Sequence, residues 1–176
     1  MPHILLVDDE ENILHALQRL FKSDGYEVES YTNATEALKR ARAAEFDLVM
    51  SDYRMPGMDG VFFLMALKQI QPHAMRLLVS GYTDLDALLG AINEAQIFHF
   101  IAKPWSDYDL RATVAHALAH RATLAENRRL ADQVRAQEDK IQRQNRLIQE
   151  LEVQHPGITH VRRSADGVII LEDDDE

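Results

Sequence analysis

No cysteine occurs in the 176 residues, which excludes a disulfide framework and any zinc site built on thiolates. Positive charge is also short. Nineteen lysines and arginines face 29 aspartates and glutamates, a formal net charge of -10, and this argues against a polyanion as the main partner. No apolar run approaches the roughly 18 residues needed to span a bilayer. The opening MPHILLVDDE lacks the basic start and apolar length of a secretory signal. A reducing, cytoplasmic setting with no membrane partner is therefore expected. With 46% hydrophobic and 27% charged residues, the remaining composition is that of an ordinary globular protein, long enough for one good core and an appendage.

In the first two thirds, short apolar runs at 3–7, 26–31, 47–51, 76–79 and 97–102 alternate with helix-period segments at 10–23, 34–44, 61–70 and 84–94. In the first of these segments Ile13, Leu14, Leu17, Leu20 and Phe21 fall on one face; Ala37, Leu38 and Ala41 repeat the pattern in the second. Such alternation predicts a parallel sheet with helices on both faces, a (βα)₅ domain over 1–120.

A different segment follows Lys103-Pro104-Trp105. Ser106 with Asp109 resembles a capping box, and neither proline nor glycine occurs from there to about residue 153. This predicts one helix of about 70 Å at 1.5 Å per residue. Its first part, with Leu110, Val114, Ala117 and Leu118, is expected to close the domain. Over 121–154 a heptad can be laid down, with Asn127, Val134, Ile141 and Ile148 at a and Leu130, Gln137, Gln144 and Leu151 at d. β-Branched residues at a with leucine at d favour a parallel two-stranded coiled coil, and one polar a residue such as Asn127 fixes register. The seam of a homodimer is thus expected at Asn127, Leu130, Val134, Ile141, Ile148 and Leu151, although the two glutamines weaken it. The alternative is a long helix folding back on its own domain. His155-Pro156-Gly157 ends the helix, and runs at 158–165 and 168–171 flank Asp166-Gly167, a hairpin signal. The stretch 155–176 then reads as a β-hairpin with an acidic tail.

In an open parallel sheet, ligands bind at the carboxyl ends of the strands. Here those ends carry Asp8-Asp9, Asp52, Ser80-Gly81 and Lys103-Pro104. Each has a plain alternative: helix caps for Asp8 and Asp9, a turn former before Pro56-Gly57 for Asp52, a loop for Ser80, a solvated lysine for Lys103. Together they make a chemical set. Crowded carboxylates repel, a divalent cation relieves that repulsion, and oxygen ligands suit Mg²⁺. An ionised carboxylate beside Mg²⁺ can attack a phosphoryl group, with an ammonium and a hydroxyl to hold the product's oxygens.

The segments LLVDDE, MSDYRMPGMDG, LLVSGY and FIAKPW resemble the receiver domain of bacterial two-component response regulators, over about residues 3–120. The resemblance implies a flavodoxin-like sheet of order 2-1-3-4-5; a receiver is itself a standard example of that order. It implies Asp52 as phosphoacceptor. Asp8, Asp9, Asp52 and the Arg54 backbone carbonyl become Mg²⁺ ligands, Ser80 the switch hydroxyl and Lys103 the phosphate contact. A cis bond is implied before Pro104, and Phe100 becomes the aromatic switch. Many receivers carry tyrosine where Phe100 stands, so the hydroxyl is lost. A sensor histidine kinase is implied as phosphodonor, and an enzyme role no larger than self-catalysed phosphorylation and dephosphorylation. The stretch from Leu77 to Trp105 is similar to receivers attached to cyclic-dinucleotide phosphodiesterase-like or transcription-activator outputs; neither follows here, so a downstream protein target is expected.

Arg54 and Tyr82 follow Asp52 and Ser80 by two residues each. They are expected to overhang the acyl phosphate, exclude water and slow its hydrolysis. His116 and His120, at i and i+4, have no evident third ligand for a metal. Arg121, Arg128, Arg129, Arg135, Lys140, Arg143 and Arg146 alternate with Glu126, Asp132, Glu138 and Asp139, the pattern of a solvated helix flank rather than a dense DNA-gripping block. A nucleic-acid-binding regulator using the long helix is the second reading, and a phosphatase with Asp52 as nucleophile the third.

Overall fold

The computed structural model describes residues 1–81 and 95–157. The expected helix over 84–94, Tyr82 and the hairpin around Asp166-Gly167 lie outside these residues. The chain divides into two units, Met1–Ala125 and Glu126–Glu176.

The first unit holds five parallel strands, β1 (His3–Val7), β2 (Glu27–Tyr31), β3 (Leu48–Asp52), β4 (Met75–Gly81) and β5 (His99–Lys103), in the order β2-β1-β3-β4-β5. Helices α1 (Glu11–Ser23), α2 (Ala34–Ala41) and α3 (Gly60–Ile70) follow β1, β2 and β3, and α4 (Asp107–Gln154) follows β5. This is the flavodoxin-like receiver arrangement. Successive side chains of a strand point to opposite faces, and the core separates accordingly. Leu5, Val7, Val49 and Leu78 pack with α2 and α3 residues such as Ala37, Phe63 and Leu64. Ile4, Leu6, Leu48, Met50, Leu77 and Val79 pack with Leu14, Leu17 and Phe21 of α1 and Leu110, Val114 and Ala117 of α4. Because both faces are covered, the inner strands β1, β3 and β4 read largely as apolar runs, whereas the edge strand β2, EVESY, alternates.

Short polar side chains start the helices where the backbone N–H groups need acceptors. Asn33 Oδ1 accepts from Thr35 and Glu36 N–H, Asp59 Oδ1 from Phe62 N–H, and Ser106 Oγ from Asp109 N–H at 3.1 Å. Ser106 Oγ also donates to Asp109 Oδ2 at 2.6 Å. α1 has no side-chain cap of this kind; Asp8 Oδ1 instead accepts from Glu10 N–H at 2.9 Å. β3, β4 and β5 each run one or two residues further than their apolar stretches, taking in Asp52, Ser80-Gly81 and Lys103.

At the foot of the sheet Asp47 joins several elements. Its Oδ2 accepts from His3 N–H at 2.6 Å, its carbonyl accepts from Met75 N–H at 2.9 Å, and its Oδ1 pairs with Arg121 Nη1 at 2.5 Å. Arg121 is therefore not part of a fully solvated flank, because a long-range partner that sequence spacing does not show leaves it only partly exposed.

In the second unit, residues 126–154 are helical. Leu130, Val134, Ile141, Ile148 and Leu151 are all exposed, between 39% and 54%. Ion pairs Glu126–Arg129 and Asp132–Arg135 run along this helix at i,i+3. Pro156 and Gly157, the latter at φ 93, follow its end. Among the described residues no helix is long and apolar enough to cross a membrane.

Candidate functional site at the carboxyl edge of the sheet

The parallel register sets the site. Asp52 lies level with Val79, and Ser80 and Gly81 lie level with Ala102 and Lys103. Asp8, Asp52 and Ser80 are thereby buried polar groups on adjacent strand ends. Lys103 Nζ sits 2.5 Å from Asp52 Oδ1 and 3.1 Å from Asp8 Oδ2, with Glu10 Oε1 at 3.9 Å. One ammonium thus neutralises two carboxylates held out of water. Burial raises the Asp8 carboxyl above its ordinary range, against the opposing pull of the Glu10 N–H and of Lys103. Burial also disfavours the Lys103 ammonium, but its hydrogen bond to Asp52 and the charges of Asp8 and Asp52 outweigh this, leaving its pKa above the usual lysine value.

The other oxygen of Asp52, Oδ2, accepts from Arg54 N–H at 2.6 Å. Tyr53 N–H donates to the Val79 carbonyl and Gly60 N–H to the Tyr53 carbonyl, both at 2.8 Å, so the loop from 53 to 59 is fastened at both ends. Gly57 turns it at φ 82. Gly60 allows the closest approach, since a Cβ there would stand 2.0 Å from the Asp52 carbonyl oxygen. Sequence reasoning gave Gly60 no role. Its signal is a glycine opening a helix where alanine would be the better former.

Asp9 is exposed and lines a shallow depression with Tyr53, Arg54, Met55, Pro56 and Asp59. The Lys103–Pro104 bond is cis. Phe100 is half-buried against the α2/α3-side core. Tyr82 lies outside the described residues. His116 and His120 both lie against the ring of Phe98, at centroid distances of 5.5 and 5.3 Å.

Among the described residues no three acidic or histidine side chains are gathered closely enough to form a ready metal cage. The donor set nevertheless fits Mg²⁺ in kind. Asp8 and Asp52 converge on one positive charge, and Asp9 and Arg54 border one depression beside them. All are oxygen donors, of the type a hard cation completes with water.

The model of the response regulator receiver domain matches residues 4–115, and the chain belongs to that family. It is 36% identical over 115 residues to the hydrogenase transcriptional regulatory protein HoxA of Bradyrhizobium diazoefficiens, covering 65% of this chain and 24% of HoxA. The chain thus spans about a quarter of the length of the curated relatives it matches. Among solved structures, the signal receiver domain of an HD domain-containing protein from Pseudomonas fluorescens is 38% identical with a TM-score of 0.67, covering 71% of this chain and 92% of that one. The response regulator TrrA of Thermotoga maritima, solved in complex with Mg²⁺ and BeF, is 28% identical with a TM-score of 0.61, covering 66% and 99%.

Proposed function

We propose that the protein is a cytoplasmic response regulator in which a sensor histidine kinase transfers a phosphoryl group to Asp52. The observation that carries this is the double engagement of Lys103, which gathers Asp52 and Asp8 at the edge where the receiver family accepts phosphate. An Asp52 carboxylate oxygen attacks phosphorus, the P–N bond to the donor imidazole breaks, and its electron pair returns to the ring nitrogen. The product is an acyl phosphate. Arg54 N–H holds one oxygen of Asp52 throughout and so orients the other. Lys103, kept protonated by its neighbours, exchanges its bond to the carboxylate for one to the new phosphoryl oxygens. Ser80 supplies a hydroxyl from the neighbouring strand, and Phe100 follows it. Asp8, Asp9, Asp52 and the Arg54 carbonyl are the residues that would hold Mg²⁺, which when bound offsets negative charge on the transferring group. Arg54 and Tyr82 shield the product from water; replacing both with alanine should speed its decay, and unchanged decay removes that role.

Output passes through protein contacts and a parallel homodimer over Asn127, Leu130, Val134, Ile141, Ile148 and Leu151. The exposed stripe on 126–154 supports this, since an isolated helix of that length gains little by itself. The transcriptional regulatory name of HoxA favours a DNA-linked output as the second reading, and a salt-dependent gel shift separates the two. The deciding experiment is labelling by a small phosphodonor with Mg²⁺. One phosphate per chain, absent in Asp52→Ala, is expected; no label, or label that survives in Asp52→Ala, refutes the proposal, and repeated turnover of phosphomonoesters would instead indicate a phosphatase.

A further inference from the structure

A buried cation without a carboxylate needs its own account, because taking a guanidinium out of water is costly unless its N–H groups find acceptors. Arg76, near the start of β4 and followed there by the apolar Leu77, Leu78 and Val79, is 5% exposed. Its Nε donates to the Ala95 carbonyl at 2.9 Å, and its Nη1 donates to the carbonyls of Ala74 at 2.7 Å and Pro72 at 3.4 Å. Among the described residues no acidic side chain pairs with it. Burial lowers its pKa from the ordinary arginine value, which an arginine tolerates while keeping its charge.

The carbonyl it reaches is well placed. Ala95 has helical backbone and is fully buried, and the chain then turns through Gln96 at φ 50. Just past the turn, Phe98 N–H donates to the main-chain carbonyl of Arg76 itself at 2.8 Å. One residue therefore grips both sides of the turn, by side chain at Ala95 and by main chain at Phe98. Two residues on, Phe100 pairs in register with Leu78, while Ser80 lies at the far end of the same β4.

We propose that Arg76 is the fixed pivot of the switch: its guanidinium locks residues 95–98 to the amino end of β4, so that rearrangement at Ser80 reaches Phe100 instead of being lost as the chain slides along the strand. The proposal rests on the phosphotransfer reading above. Arg76 is a positioning residue, distant from the reacting atoms, and its loss leaves phosphate chemistry intact.

The test uses the full chain as wild type, Arg76→Met and Arg76→Lys, with beryllofluoride and Mg²⁺ as phosphate mimic. Amide exchange is followed at residues 95–98, and the amide signal of Phe100 reports the switch. Arg76→Met should take label at Asp52 within about twofold of wild type, because the substitution is remote from the rim. Its exchange at 95–98 should rise about tenfold or more, as expected for losing a charged hydrogen bond. The mimic-driven shift of Phe100, at saturation, should fall to under about half, with Arg76→Lys intermediate because one ammonium replaces the fork. Faster exchange with a full Phe100 shift would show a merely structural role and overturn the proposal, as would unchanged exchange or a wild-type Phe100 that does not respond. If Arg76→Met fails to fold, Arg76→Lys carries the same comparison. Failure of wild type to take label at Asp52 sinks the phosphotransfer reading instead, and the grip on 95–98 is then judged by exchange alone.

Discussion

Among the described residues, most large apolar side chains of 1–125 are buried, whereas those of 126–154 are exposed. In the first unit Phe21, Phe46, Phe63, Leu5, Leu64 and Leu77 are almost wholly buried; in the second Leu130, Val134, Ile141, Leu147 and Ile148 are all exposed. The ion pairs differ as well. Arg40 grips Glu29 through two hydrogen bonds, at 2.8 and 2.7 Å, with Tyr31 and His3 against the same carboxylate. The pairs Glu126–Arg129 and Asp132–Arg135 are solvated neighbours on one helix, a kind that contributes little in water. The first unit is specified by its own packing. Among its described residues the second is a helix whose apolar side chains are exposed, so the helix gains little from burial of its own.

That contrast can be broken at several points. Ile141→Glu with Ile148→Glu should weaken the parallel dimer proposed above by about 100-fold or more, since each isoleucine buried in its seam would contribute about 1.5–3 kcal/mol; sedimentation measures it, and the melting of the first unit should not move. Leu64→Ala should do the reverse, lowering the unfolding free energy of the first unit by about 2–5 kcal/mol with the 126–154 contacts unaffected. Gly60→Ala should cost about 1–3 kcal/mol and slow labelling of Asp52, because the added methyl group meets the Asp52 carbonyl; denaturant titration and phosphate incorporation check the two effects separately.

The pH dependence sharpens the picture of the rim. Lys103 has a raised folded pKa, so its stabilisation is complete below the ordinary lysine value and is lost as pH rises through the folded one. Asp52→Asn should flatten that alkaline loss in denaturation curves above about pH 10. Asp8 is also raised. Its contribution is present below the ordinary aspartate value and disappears as pH rises through the folded value, so at neutral pH the ionised group is a cost. Asp8→Asn should stabilise the fold there while impairing labelling. The smallest effect is expected at Gln96, where glycine should relax the positive φ and raise stability by up to about 1 kcal/mol, read from the melting midpoint.

Much of this was legible from local pattern. The five strands and the first three helices follow apolar periodicity, and the rim residues Asp8, Asp52, Ser80 and Lys103 fall at strand ends because carboxyl-terminal strand positions converge. The inaccuracies lie where polar residues extend a ladder: Asp52, Ser80-Gly81 and Lys103 are strand members by virtue of their neighbours' hydrogen bonds. α2 ends at Ala41, earlier than the periodicity suggests, since Ala43 and Ala44 carry no packing signal that separates helix from turn. Arg76, Arg121 and Gly60 were opaque for another reason. Their roles depend on Ala95, Asp47 and the Asp52 carbonyl, contacts between separate elements that no spacing rule encodes.

Asp47 has a consequence for how the sheet can deform. Standing just before β3, it ties the lower ends of β1 and β4 together and holds Arg121 besides, and Arg76 adds a second fastening on the same side. With the ladders also in register up to Asp52, Ser80 and Lys103, neighbouring strands are pinned near both ends, so a change of charge at the rim is hard to relieve by slipping one strand lengthwise past the next and falls instead on the side chains and loops there.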